Sequence, residues 1–468
     1  MLTGILGRAT IGKSLGMILT RPIYSRISAA QEDVSLLGQH LKFRNGRVAH
    51  NRFLKAALTE ILSTWDGKNL QERGIPTQAL VNVYDKWGHG GYGMILTGNI
   101  QVSPTNLESA GNAIFSKEND TAQLSEMTSK LAAAMKQDGA LAAGRQTPLA
   151  VNAHPFSVSD IQLKGNPPLQ LYGTPIALTE EQIKTEVVDR FVFAAKYAHK
   201  HGFDGVQLHS AHGYLLSSFL SPTTNNRTDK YGGSVENRFR VVREVYEAIR
   251  KEIPPTTGFI VGIKVNSVEF QDKGLGVEDA KAIGAMIEAC GFDFVELSGG
   301  TLEKLAFAHL RESTKRREAF FLEFAQQIRP SFKDTVVYLT GGFRTAPAMV
   351  LAVRDGSTDG IGLGRPATAE PDLPAKILRG ECYSAPDTKL DQNDFILTLV
   401  ACSTQMEQMS RRPASELKSV CDDIADLSDP DEVRHFKEAV NEYFKGAAEL
   451  AARNEPVYKP MKYKNVVS

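Results

Sequence analysis

Two hydrophobic patterns alternate along the chain. Short apolar or β-branched runs recur at "YGMILT" (92–97), "DGVQLH" (204–209), "FIVGIKV" (259–265), "FDFVEL" (292–297), "TVVYLT" (335–340) and "TDGIGLG" (358–364), with "NRFLKAAL" (51–58) as a weaker first run. Several are apolar almost without interruption, the pattern of parallel strands covered on both faces. Between them, apolar positions repeat with a helical period. "TEEQIKTEVVDRFVFAAKYAHKHG" opens with Thr179 and Gln182 at capping-box spacing and stops at Gly202. "SVENRFRVVREVYEAIRKEI" starts at Ser234 and ends before Pro254, and "GVEDAKAIGAMIEACG" runs to Gly291, a left-handed C-cap candidate.

Strands alternating with helices at this spacing predict right-handed βαβ units and a parallel sheet. Eight such strands between residues 35 and 385 favour an α/β fold of the (β/α)8 TIM-barrel type. The rival doubly wound sheet loses ground, because no G-x-G-x-x-G follows the first strand. Beyond residue 385 the pattern is helical only, which sets off residues 386–468 as a C-terminal helical extension. Residues 1–34 read as an N-terminal leader or tail.

The 468 residues are 42% hydrophobic and 23% charged, with a formal net charge of zero. That is enough for a large core, and it gives no reason to propose nucleic acid or a membrane surface as partner. Cys290, Cys382, Cys402 and Cys421 lie far apart, so a disulfide framework, a zinc knuckle and a cysteine-ligated iron–sulfur cluster are poorly supported. Arg8, Lys13, Arg21 and Arg26 precede the first acidic residue, Glu32. Basic and acid-free is the composition of a mitochondrial transit peptide; with a plain tail instead, the protein is cytoplasmic.

In a barrel, functional groups gather at the C-terminal ends of the strands. The fourth strand ends in "LHSAHGYLL", which brings His209, His212 and Tyr214 together; the fifth carries Lys264 in an apolar run. Strand seven ends with Gly341, Gly342 and Arg344, and strand eight with Gly364 and Arg365. Glycines with a nearby arginine at these two strands suit a phosphate, although tight turns alone also need glycine. As metal ligands the two histidines lack a third partner, and no metal is expected. As neutral donors they hold and polarise a carbonyl, with Tyr214 able to deliver a proton; the plain alternative is a set of satisfied structural side chains. Buried Lys264 calls for a negative neighbour, either a cofactor that becomes anionic or a carboxylate such as Glu269 or Glu296. A Schiff-base lysine in a flavin-free barrel is a further reading.

The stretch "HSAHGYLLSSFLSPTTNNRTDKYGGSVENRFR" resembles the old yellow enzyme family, the NADH:flavin oxidoreductase/NADH oxidase-like group. "NRFLKAALTE", "YGMILTGN", "GIKVNS", "TGGFR" and "LGRPATAEPDLP" match in the same order, so that the likeness spans about residues 36 to 380. The resemblance implies an FMN-binding barrel that takes hydride from NADH or NADPH and passes it through flavin N5 to an activated alkene or quinone-like acceptor. It implies that His209 and His212 bind the acceptor carbonyl and that Tyr214 protonates the α-carbon. Lys264 stands at the N1/O2 edge, Thr59 near O4 and N5, Gly98 and Asn99 along the ring, and Gly341, Gly342, Gly364 and Arg365 at the phosphate. It leaves the oligomeric state open.

One segment departs from the family pattern. Relatives carry a third strand with Gln-x-x-His before Ala-Gly-Arg-Gln, whereas "QDGALAAGRQTP" keeps only the second part. It is about six residues short of a normal strand. The expectation is a shortened or defective third strand, with "PLAVNAHP" sliding in to offer Asn152 or the barrel damaged. A non-catalytic, flavin-deficient variant is the corresponding alternative. His50 and Ile61 also stand where relatives commonly have proline and arginine.

Overall fold

The computed structural model describes residues 24–146, 152, 154–162, 173–266, 274–298, 322–323, 325–453 and 459–464. Eight parallel strands form a closed barrel: β1 (Phe53–Lys55), β2 (Met94–Gln101), β3 (Leu141–Gln146), β4 (Gly205–Ser210), β5 (Ile260–Asn266), β6 (Phe294–Ser298), β7 (Val336–Thr340) and β8 (Gly360–Leu363). Closure is made where β8 pairs with β1 (Ile361 opposite Phe53) and β1 with β2 (Leu54 opposite Met94). Helices α1 (Gln78–Gly88), α2 (Ala122–Met135), α3 (Asp189–Lys200), α4 (Val235–Glu252), α5 (Val277–Cys290) and α6 (Ala346–Arg354) flank these strands in the chain. The sequence signals for their ends hold. Thr179 and Gln182 form a reciprocal capping box at the start of helical residues Glu180–Gln182, which continue through Ile183–Val188 into α3; Ser234 accepts from the Asn237 N–H, and Gly291 ends α5 at φ +91°.

Strand alternation divides the barrel interior into two storeys. At the N-terminal end Leu54, Met94, Leu96, Leu141, Ile260, Phe294 and Tyr338 make an apolar plug, closed from below by Leu41, Phe43 and Ala49 of a two-stranded hairpin. Toward the C-terminal end the same strands turn polar, with Gln207, His209, Lys264, Asn266, Glu296 and Ser298 all buried. Their neighbours of opposite phase, such as Leu208, Ile263 and Val295, pack in the larger core with the helices. The floor is therefore dry and rigid, and the mouth carries the chemistry.

The third strand is neither missing nor replaced by "PLAVNAHP". The "AGRQ" segment is itself drawn into the ladder, pairing Leu141 with Met94 on one side and Ala143 with Gly205 on the other. Asn152 is exposed, its side chain accepting from the His154 N–H. The adjustment falls on β2, which advances three residues from Leu96 to Asn99 while β3 advances two from Ala143 to Arg145. The result is a bulge carrying Thr97 and Gly98. Opening the barrel would leave the backbone groups of β2 and β4 without partners, a larger cost than one bulge.

The extension contributes α7 (Phe395–Ser410) and α8 (Pro430–Ala452). Met406 and Met409 of α7 join the main core, while Leu390, Val400, Phe436 and Tyr463 make a small core of their own. Packing at the N-terminal side begins before residue 35. Arg26 reaches buried Glu370 with two hydrogen bonds of 2.7 and 2.8 Å, and Ile27 bonds the Ala385 carbonyl. The leader proper, before Tyr24, lies outside the described residues. Among the described residues no helix is long and apolar enough to cross a membrane.

Candidate active site

β4 ends by delivering three rings to one place. His209 is fully buried, its ring centroid 5.2 Å from that of His212 and 4.7 Å from that of Tyr214. His212 lies beyond the strand in a left-handed conformation, φ +63°, uncommon for a residue with a side chain. Two bonds hold it there: its N–H donates to Asn266 Oδ1 at 3.2 Å, and its Nε2 lies 3.0 Å from Ser298 Oγ. Backbone strain stabilised by neighbours is common where a side chain must be aimed. Tyr214, 9% exposed, stands at the N-cap of the short helix Leu215–Leu220. The three residues that the sequence singled out thus form one cluster.

Lys264 lies in register with His209 on one side and Glu296 on the other. Its ammonium is 2.7 Å from Glu296 Oε1, while Gln207 donates to Glu296 Oε2 at 2.7 Å. Of the two partners open to Lys264, Glu296 is the one found here; Glu269 lies outside the described residues. Burial pushes the Glu296 carboxyl up, but the Lys264 charge and the bonds from Lys264, Gln207 and Thr340 outweigh it and hold the group below the ordinary glutamate range. Lys264 is an ion-paired cation, not the unpaired amine that a Schiff base would need.

The β1–β2 side is built around a carboxylate that sequence reading missed. Glu60 Oε1 accepts from the Gly98 N–H at 2.9 Å and from the Tyr84 hydroxyl of α1. Lys55, fully buried, bonds the Leu96 carbonyl at 3.0 Å and stands 3.8 Å over the Trp87 ring. A Cβ on Gly98 would meet Glu60 Oε2 and the Leu58 carbonyl at 2.0 Å. Gly98 is thus covered by the β1 loop, and its N–H, released from the ladder by the bulge, is shared between Glu60 at 2.9 Å and the Tyr84 hydroxyl at 2.8 Å. Next to it Asn99 Nδ2 lies 3.4 Å from Thr59 Oγ1 and 3.1 Å from Glu108.

At the opposite side, Gly341 and Gly342 after β7 take φ +147° and +79°. Gly364 after β8 has only Leu58 Cδ2, at 3.8 Å, near the place of a Cβ, so space opens above it. The Arg365 guanidinium turns toward the extension, 3.4 Å from Gln392 Oε1 and from Thr398 Oγ1. With Arg344 it lines a cavity of about 50 Å³ between the barrel and α7. Among the described residues one acid–thiol cluster could suit a metal, Glu370, Asp372 and Cys421, but Lys376 is already 2.6 Å from Glu370 and 2.8 Å from Asp372.

The donor set suits a phosphorylated, redox-active ring: open space over Gly364, hydroxyl and amide groups at Thr59 and Asn99, and a cation at Lys264. Glu60, Gln207, Asn266 and Ser298 were not foreseen. Strand phase held a signal for three of them, because Gln207, Asn266 and Ser298 stand two residues from His209, Lys264 and Glu296.

Residues 39–382 match the model of the NADH:flavin oxidoreductase / NADH oxidase family. The chain is 40% identical over 443 residues to the NADH-dependent flavin oxidoreductase nadA of Aspergillus parasiticus, covering 92% of this chain and 95% of that one. Among solved structures, a 2-naphthoyl-CoA reductase in complex with 2-naphthoyl-CoA superposes with a TM-score of 0.70, at 21% identity over 81% of this chain and 58% of that one. The old yellow enzyme homologue of Zymomonas mobilis gives 0.63, at 23% identity over 78% and 96%.

Proposed function

Because this chain belongs to the NADH:flavin oxidoreductase / NADH oxidase family and uses FMN with a nicotinamide reductant, we propose that it reduces an activated alkene or quinone-like carbonyl compound, with Tyr214 as proton donor. The observation that carries this reading is the convergence of His209, His212 and Tyr214 beside Lys264 at the end of β4. The high identity to a relative named for NADH favours NADH as the reductant. When bound, FMN would supply the redox chemistry, the relay of hydride from nicotinamide to acceptor.

The chain's own residues do the rest. The His209 and His212 ring N–H groups hold the acceptor carbonyl and stabilise the charge that develops on its oxygen, a contribution that grows in a dry site. The Tyr214 hydroxyl gives a proton to the α-carbon as the β-carbon is reduced. Lys264 would face the electron-rich edge of the ring, and Thr59 and Asn99 its polar rim. N–H groups of Gly342 and Gly364 would hold the phosphate, and the apolar plug beneath excludes water.

Tyr214→Phe tests the assignment. General acid catalysis is worth roughly 10²–10⁴-fold, so reoxidation of the reduced enzyme by an enone should slow by about that factor. Reduction by NADH, which needs no proton from Tyr214, should stay within about twofold. Equal loss in both half-reactions would make Tyr214 a structural residue.

A further inference from the structure

Lys264 does not enter the site as a bare charge. Its ammonium is bound at 2.7 Å by a carboxylate with zero exposure, Glu296, and that carboxylate is held from its other oxygen by Gln207, also fully buried. Lys264 and Glu296 stand in register with His209, and Gln207 lies two residues earlier on β4, opposite Gly262 and nearer the apolar plug. Coulomb interactions at this depth are strong and poorly screened, so a negative charge brought near Lys264 also meets the Glu296 carboxylate behind it. Hydride transfer from NADH adds two electrons and one proton to bound FMN, releases NAD⁺ and leaves the cofactor one charge more negative.

Resting on the functional reading above, we infer that Glu296 sets the electron affinity of the bound flavin by neutralising Lys264, with Gln207 fixing the carboxylate in place. Glu296 is a positioning and tuning residue; it is Lys264 that faces the cofactor. The side-chain amide at 207 matters to this role, since it donates to Glu296 where a carboxylate at the same position would repel it. The geometry favours a neutral Lys–Glu unit, a site that binds oxidised and reduced cofactor with less discrimination than a lone lysine.

The test is the midpoint potential of FMN in the full-length holoprotein, measured by equilibration with a reference dye. Glu296→Gln keeps shape and removes the charge. It should favour the reduced over the oxidised cofactor by about tenfold, which for a two-electron couple is about 30 mV more positive. Gln207→Leu removes the donor that fixes the carboxylate, weakens Glu296 as a counter-charge, and should shift the potential in the same direction by a smaller amount. If Glu296→Gln fails to fold, the sign of the Gln207→Leu shift decides alone. Potentials unchanged in variants that still bind FMN would overturn the inference and leave the functional reading standing. Wild-type protein that takes up no FMN would overturn both.

Discussion

Two non-glycine residues near the mouth occupy left-handed backbone, His212 at φ +63° and Ile61 at φ +54°. His212 is held by Asn266 and Ser298, and the conformation aims its ring at the cluster. Ile61 follows Glu60, the residue clamped to Gly98 and Tyr84, so the strain sits where the β1 loop folds over the bulge. A β-branched residue there costs roughly 1–2 kcal/mol, of which glycine's greater freedom when unfolded takes back about 0.5–1 kcal/mol. Ile61→Gly is therefore expected to stabilise the protein by about 0.5–1 kcal/mol in urea unfolding. Destabilisation beyond about 1 kcal/mol would show that the half-buried Ile61 side chain holds the loop. At this scale the sequence disclosed His209, His212, Tyr214 and Lys264, because polar residues at the ends of apolar strands stand out. It did not disclose Glu60, whose role depends on a bulge created by distant pairing.

Among the elements, α1 joins the extension to the barrel. The Lys86 ammonium donates to the Met409 carbonyl and, at 2.6 Å, to that of Arg412, taking up acceptors left over at the end of α7. Asn82 adds a bond to the Ser410 carbonyl. Burial pushes Lys86 down from its ordinary 10.5 to about 8. Below pH 8 the lysine is protonated in both states, and above 10.5 in neither; between them the unfolded chain holds more protons, so stability rises with pH. The difference in unfolding free energy between wild type and Lys86→Met should therefore move in favour of the wild type across pH 8 to 10.5. A flat difference would mean that Lys86 titrates normally. Helices and their caps were legible from local chemistry, as Thr179, Ser234 and Gly291 show, and seven strands were found to within four residues of their ends. The third strand was not: "LAAGRQ" has few strand-forming residues, and only closure of the ladder between β2 and β4 draws it in.

For the whole molecule, the extension and the Tyr24–Ile27 segment meet the barrel at the β7–β8 side, where Arg26 and Lys376 share Glu370 and where Arg344 and Arg365 face the cavity against α7. The β7–β8 side of the barrel is thereby backed by chain from both ends of the sequence, a feature that the periodicity of single segments cannot reveal. The family sets the cofactor, yet the third strand lacks the Gln-x-x-His that the family pattern carries before Ala-Gly-Arg-Gln, and the Gln207 amide is engaged with Glu296. On the proposed reading, Thr59, Asn99, Lys264 and the two glycine turns carry the affinity. The measurement that decides this is the visible absorption spectrum of the purified full-length chain after incubation with FMN, with the released flavin quantified after heat denaturation. A yellow protein holding close to one FMN per chain is the predicted result. Protein that stays colourless in excess FMN would contradict it and make the shortened third strand a loss of function.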